Sequence, residues 1–170
     1  MNSRFIVLPA IFALFFACGT KNNPDIAAST SKNSGGSNYL SMKINGVEWK
    51  ADHDISGAFH PKGYNKLIMI AGSKGPKNAG EQTFNINIYN TEGPGIFQFK
   101  DGNTDLSVAQ LANLTPDKFL YGSMMGFDMK VNVKTATTKP DVVDATFEGT
   151  MTSNAGDVIK ITEGKFYYHE

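Results

Sequence analysis

The chain has 170 residues, enough for one domain and an extension, with 16 Lys and Arg set against 16 Asp and Glu. That balance leaves no polybasic surface for nucleic acid or for a charged membrane face, and no run of like charges stands out. The single cysteine excludes an internal disulfide, so a domain here must be held by an ordinary apolar core.

Met1 to Arg4 carries one positive charge, and Phe5 to Phe16 is apolar and uncharged. Twelve residues suit the h-region of a signal peptide and fall short of the roughly 20 that span a bilayer. Ala17, Cys18 and Gly19 follow directly. Ordinary cleavage after Ala17 would put the bulky Phe15 three positions before the cut, where a small residue is preferred. The stretch Phe15-Phe16-Ala17-Cys18 resembles a bacterial lipobox, with Phe15 where Leu is more usual, as in the looser lipoboxes of the Bacteroidetes. The resemblance implies a signal peptide over 1–17, a diacylglycerol thioether on Cys18 and an acylated α-amine. At about 0.8 kcal/mol per buried methylene, two or three acyl chains make a lasting anchor. Loss of residues 1–17 removes Arg4 and no acid, which leaves 15 bases, 16 acids and a net charge of −1.

Residues 18–38 hold the lipidated cysteine and a tether rich in Ser, Asn, Gly and Thr, with Ile26 its one sizeable apolar side chain. Such a segment cannot bury enough surface to offset its ordering entropy, and its root-mean-square reach is about 25 Å. Gly19 stands where an aspartate would signal inner-membrane retention, and no acidic run follows Cys18. The expected address is the bacterial cell envelope, at the outer membrane, facing the periplasm or the surface.

Residues 39–170 read as a β-rich domain. Leu40, Met42 and Ile44 alternate with polar residues up to Asn45-Gly46, the strongest two-residue hairpin signal, and Val47 and Trp49 alternate beyond it. Short strands are expected over 55–59 and 66–73, the second with an unbroken apolar run from Leu67 to Ala71 that fits a strand covered on both faces. Phe84, Ile86 and Ile88 alternate within 82–90, and Phe97 and Phe99 within 96–99. The stretch 106–114 fits a strand or a short helix, with the strand favoured. Further strands follow at 119–121, 127–133, 143–151, 158–162 and 164–168, with Gly164 a bulge or bend. The pattern predicts an all-β fold of about eight to ten strands, an antiparallel meander-type β-sandwich or a partly closed β-barrel, preceded by the signal peptide and flexible linker.

With these elements placed, the chain resembles the small β-rich lipoproteins of unknown function found in the Bacteroidetes. The resemblance rests on the lipobox, the polar leash, the opening Asn45-Gly46-Val47-Glu48-Trp49-Lys50-Ala51, the segment Phe147-Glu148-Gly149-Thr150 and the closing Ile161-Thr162-Glu163-Gly164-Lys165-Phe166. Met151 stands where that pattern has Phe. The motifs mark turns and core aromatics, so the resemblance implies a fold and an address and carries no activity.

Asp101, Asn103 and Asp105 place oxygens at alternate positions, as calcium loops do, but Leu106 and Ala112 stand where an EF-hand has Gly and Glu. A polar turn is the plainer reading. Asp52-His53-Asp54 and His60 offer imidazole and carboxylate ligands without HxH or HExxH spacing, which fits a solvated edge or loop. No Gly-x-Ser-x-Gly elbow appears, and Gly122-Ser123 has no nearby His. Gly72 to Gly80 lacks the Gly-Lys-Ser/Thr ending of a phosphate loop. Trp49, Tyr64, Phe97, Tyr121, Tyr167 and Tyr168 could form a sugar platform, though alternating strand aromatics are more often core. Met124 and Met125 would point to opposite faces of a strand, which argues against a shared soft-metal site.

The expectation is a non-enzymatic binding or interaction module without catalytic residues or cofactors. Its partners are the membrane through its lipid and an envelope protein, small molecule or glycan. The alternatives are a lipocalin-like carrier, which needs a hollow barrel, and a hydrolase of envelope or dietary polymers, which needs a cleft with paired carboxylates or a His–carboxylate pair.

Overall fold

The computed structural model describes residues 37–63 and 66–170. The expected signal peptide, the expected lipidation site Cys18, the expected tether as far as residue 36, and Tyr64 lie outside the described residues. Eleven strands form: β1 Tyr39–Ile44, β2 Val47–Lys50, β3 His53–His60, β4 Leu67–Lys74, β5 Gln82–Tyr89, β6 Gly95–Lys100, β7 Val108–Thr115, β8 Lys118–Gly122, β9 Phe127–Thr138, β10 Asp141–Thr152 and β11 Val158–His169. They build two antiparallel sheets, ordered β2-β1-β11-β10-β9-β6 and β3-β4-β5-β7-β8.

The fold is a β-sandwich. The barrel alternative is not realised: the sheets stay separate apart from one bridge, between Tyr121 and Ser153. The meander is also interrupted. β6 crosses to the six-stranded sheet to pair with β9, and β7 returns to pair with β5. Hairpins still carry most neighbours, and β1 joins β11, so the described domain closes on its own ends.

The strand count exceeds the expected eight to ten. The stretch around residue 110 is a strand, and its pattern is blurred because Asn113 takes a positive φ of 53° where the register with β8 slips. Residues 158–169 form one continuous strand that holds its bulge inside. At Asn45 and Gly46, φ values of 49° and 83° give the expected hairpin turn.

Inward residues from both sheets fill the core. Phe84 of β5 stacks on Phe147 of β10 across the sandwich, with ring centroids 5.3 Å apart, and Trp49 tilts against Phe84 at 6.2 Å. Leu40, Ile68, Ile86, Leu111, Met129 and Phe166 are also fully buried. A lipocalin-like carrier needs that space empty, and here aromatic rings occupy it.

β11 slips by one residue against both β10 and β1 at Glu163, whose φ is 54°. The bulge sits beside Gly164, the point where the sequence suggests one. A Cβ on Gly164 would lie 2.4 Å from both the ring and the carbonyl oxygen of Phe147. Gly164→Ala is therefore expected to destabilise the domain by about 1–3 kcal/mol, read as a lower denaturant midpoint. Gly46→Asn, at a turn with open space around it, should lower the midpoint less, because only the positive φ and no clash opposes the new side chain.

Candidate functional site

Among the described residues, one group of His and carboxylate side chains close enough to share an ion lies where β3 begins. Asp52 enters the five-stranded sheet through its amide, which donates to the Ser73 carbonyl at 2.9 Å. In a regular strand Asp52 and Asp54 would face away from His53. The register slips between His53 and Ser56, and Asp54 takes a φ of 50°. This bulge turns the Asp54 carboxylate toward the imidazole, leaving its Oδ2 3.9 Å from His53 Nε2.

The segment before β5 supplies the other wall. Asn78 folds it tightly, its Oδ1 accepting from the Gly80 amide at 2.8 Å and its carbonyl from the Glu81 amide at 3.0 Å. Asn113 on β7 donates to the Glu81 carbonyl at 2.9 Å. Glu81 Oε1 then lies 2.8 Å from His53 Nε2. The next residue, Gln82, accepts the buried Trp49 Nε1–H at 2.7 Å, which ties this corner to the core.

His53 Nδ1 hydrogen-bonds Asp52, whose other oxygen accepts the Gly75 amide at 3.1 Å. Lys77 spans both oxygens of Asp54, at 2.9 and 2.8 Å. The His53 side chain is 18 % exposed, Glu81 25 %, and Asp52 and Asp54 each more than half. One imidazole is thus gripped at both nitrogens in a corner open on one side.

These contacts set the charges. The hydrogen bond that His53 donates to Asp52, then that to Glu81, raises its pKa above the ordinary 6.5, against a smaller opposing effect of burial. The Gly75 amide first, then His53, lowers that of Asp52, and Lys77 lowers that of Asp54. The Asp52–His53 pair orients an imidazole as a general base requires, yet Nε2 faces Glu81 and not a hydroxyl. The nearby Ser73 and Thr83 hydroxyls bond each other at 3.1 Å.

Sequence reading grouped Asp52, His53, Asp54 and His60. The first three come together. His60 ends the same strand, about 23 Å away at the usual rise per residue. Glu81 and Lys77 were missed because 28 and 23 residues separate them from His53 and Asp54. The available signal was a lone carboxylate just before an alternating strand.

The other candidates fall elsewhere. Asn103 is committed to its own turn: its Oδ1 accepts the Ser107 amide at 3.0 Å, and its Nδ2 donates to the carbonyls of Lys100 and Ser107. Asp105 accepts from Asn90 at 3.4 Å, and Asp101 opens the same connection. Trp49 and Tyr121 are core residues, Phe97 and Tyr168 pack against the core, and Tyr167 stacks on Tyr39, so no single aromatic platform forms among the described residues. Met124 and Met125 lie in a 3₁₀ turn over Ser123–Met125, which corrects the strand assumed for them. A shallow depression of about 360 Å³ on the outer face of the six-stranded sheet is lined by Ile96, Lys130, Asn132, Thr146, Glu148 and Lys165, beside the Glu163 bulge.

No family model, curated protein or solved structure matches this chain.

The raised pKa of His53 gives a pH dependence. The clamp's contribution to stability is fully present below about pH 6.5, the unfolded value. It fades as pH rises through the higher folded-state pKa. Denaturant midpoints of wild type and His53→Gln should therefore differ most near pH 6 and converge toward pH 9. Equal differences at both ends would show that His53 is not held as a cation.

Proposed function

We propose that this protein is an envelope lipoprotein, anchored by lipid on Cys18, whose β-sandwich is a non-enzymatic binding module for an uncharged ligand. The lipobox, the polar tether and the likeness to Bacteroidetes lipoproteins support the address. The observation that carries the binding reading is the contrast between the two outer faces of the sandwich.

Across the middle of the five-stranded sheet, register places Ala71, Asn85 and Gln110 in one outward row and Met69, Asn87 and Val108 in the next. None is charged, and all are half-buried by their neighbours. The six-stranded sheet instead presents rows such as Lys160, Thr150, Asp128 and Lys100. Desolvating ions is far more costly than desolvating amides and small apolar groups, so the neutral face is the cheaper one to cover. Each amide offers two donors and an acceptor in fixed positions. A neutral glycan, with paired hydroxyls and apolar ring faces, matches that surface, and Tyr89 on the same strand face adds an aromatic edge.

Three measurements test this reading. Wild type should fractionate with membranes and Cys18→Ala should not; unchanged membrane association would refute the anchor. Neutral oligosaccharides should shift the side-chain amide NMR signals of Asn85, Asn87 and Gln110, while uronic-acid oligosaccharides of equal length should not. Asn87→Asp should weaken neutral-sugar binding about tenfold, the worth of roughly one hydrogen bond. Shifts confined to the six-stranded sheet, or a preference for the acidic sugars, would refute the neutral-face reading.

A further inference from the structure

We propose that His53 Nε2, Asp54 Oδ2 and Glu81 Oε1 form a binding site for a zinc ion, with Asp52 behind His53 and water completing the coordination. This goes beyond the glycan-binding reading and does not depend on it.

Three observations converge. The three ligand atoms come from two separate segments, the start of β3 and the residue before β5, and all lie within 4.8 Å of one another. A tetrahedral zinc with bonds of about 2.1 Å spaces its ligands about 3.4 Å apart. The present separations from Nε2, 2.8 Å to Glu81 and 3.9 Å to Asp54, straddle that value. Side-chain rotations that widen the first, narrow the second and bring the two carboxylate oxygens, now within 4.8 Å, to the same spacing would close the site.

The imidazole is also prepared for a metal. Metal-binding histidines commonly give their second ring N–H to a carboxylate, which fixes the tautomer and turns the other lone pair toward the ion. Asp52 stands in that place on Nδ1, itself steadied by the Gly75 amide. The third observation is the bulge. Without it the Asp54 carboxylate would leave the far side of the strand, so the irregular residue is the one that completes the set.

The charge count agrees. The groups around His53 are Asp52, just before its strand, Asp54 on that strand, and Glu81 and Lys77 from the segment before β5. Three carboxylates against Lys77 and an imidazolium leave −1. Zinc binding replaces the Nε2 proton with two positive charges, which brings the corner to zero. Lys77 keeps its bond to Asp54 Oδ1 while Oδ2 turns to the metal.

The test is calorimetric titration of zinc into the metal-stripped full chain carrying Cys18→Ser, so that no thiol competes. One zinc per chain should bind with a micromolar Kd at pH 7.5, and at least tenfold more weakly at pH 6, because the proton must leave. His53→Gln and Glu81→Gln should each lose at least a hundredfold in affinity, and Asp52→Asn ten- to a hundredfold. His60→Gln, at the far end of β3, should bind as the parent does. In the parent, zinc should move the His53 ring NMR signals and leave those of His60 and His169 in place, a readout that holds even where a variant folds poorly. No binding at millimolar zinc, binding indifferent to His53→Gln, or a response to calcium without one to zinc would overturn the proposal. Failure here leaves the sugar titration untouched, and failure there leaves this site untouched.

Discussion

The stack of Phe84 on Phe147 ties the two sheets together at the centre of the sandwich. It joins the middle of one sheet to the middle of the other, and its neighbours are arranged around it. Phe147 fills the space a side chain at position 164 would need, so β11 must carry glycine there. Beside that glycine, β11 accommodates an extra residue at Glu163 and shifts register against both neighbours at once. On the other flank Trp49 packs against Phe84, and its indole N–H is satisfied by Gln82. Gln82 directly follows Glu81, the residue that closes the corner around His53. The aromatic contact in the core is thus linked, through Trp49 and Gln82, to the charged cluster at the rim.

Two bulged acids show how the sheets treat irregularity. Asp54 and Glu163 both take positive φ, a conformation that costs a non-glycine residue about 1–3 kcal/mol unless its surroundings hold it. Each is then used as an anion outside the regular alternation. Glu163 reaches Lys43 at 2.7 Å on the adjoining strand, while Asp54 meets Lys77 and approaches His53. The Glu163 pair is largely exposed, so screening leaves it little weight in stability. The Asp54 group surrounds a mostly covered imidazole, where geometry counts for more.

Much of the fold was legible because alternation of apolar and polar residues reports directly on which side chains face inward. Asn45-Gly46, the 84–88 pattern and the long run from Phe127 to Val133 all translate into strands with the expected inward faces. Alternation is silent on which sheet a strand joins. That is why β6 and β7 crossing between sheets, and the choice of sandwich over barrel, could not be read along the chain. It also fails where a bulge resets the period, as at Asn113 and Asp54. The candidate site was half legible for the same reason: Asp52, His53 and Asp54 are neighbours in sequence, but Glu81 and Lys77 become neighbours only through β-pairing.

The two outer faces then differ for a reason that packing alone does not supply. Both sheets need apolar inner residues, and those positions are filled alike on each side. Nothing in the stability of a sandwich requires one outer face to be rich in lysine and acid while the central strands of the other carry amides, alanine and a methionine. Charged outer residues raise solubility and discourage edge pairing, so their concentration on the six-stranded sheet is readily explained. Their absence from the middle of the five-stranded sheet forgoes that protection over several strands. Under the proposed role, that neutral composition is the feature an uncharged ligand would meet, because amides and small apolar groups cost far less to desolvate than ions.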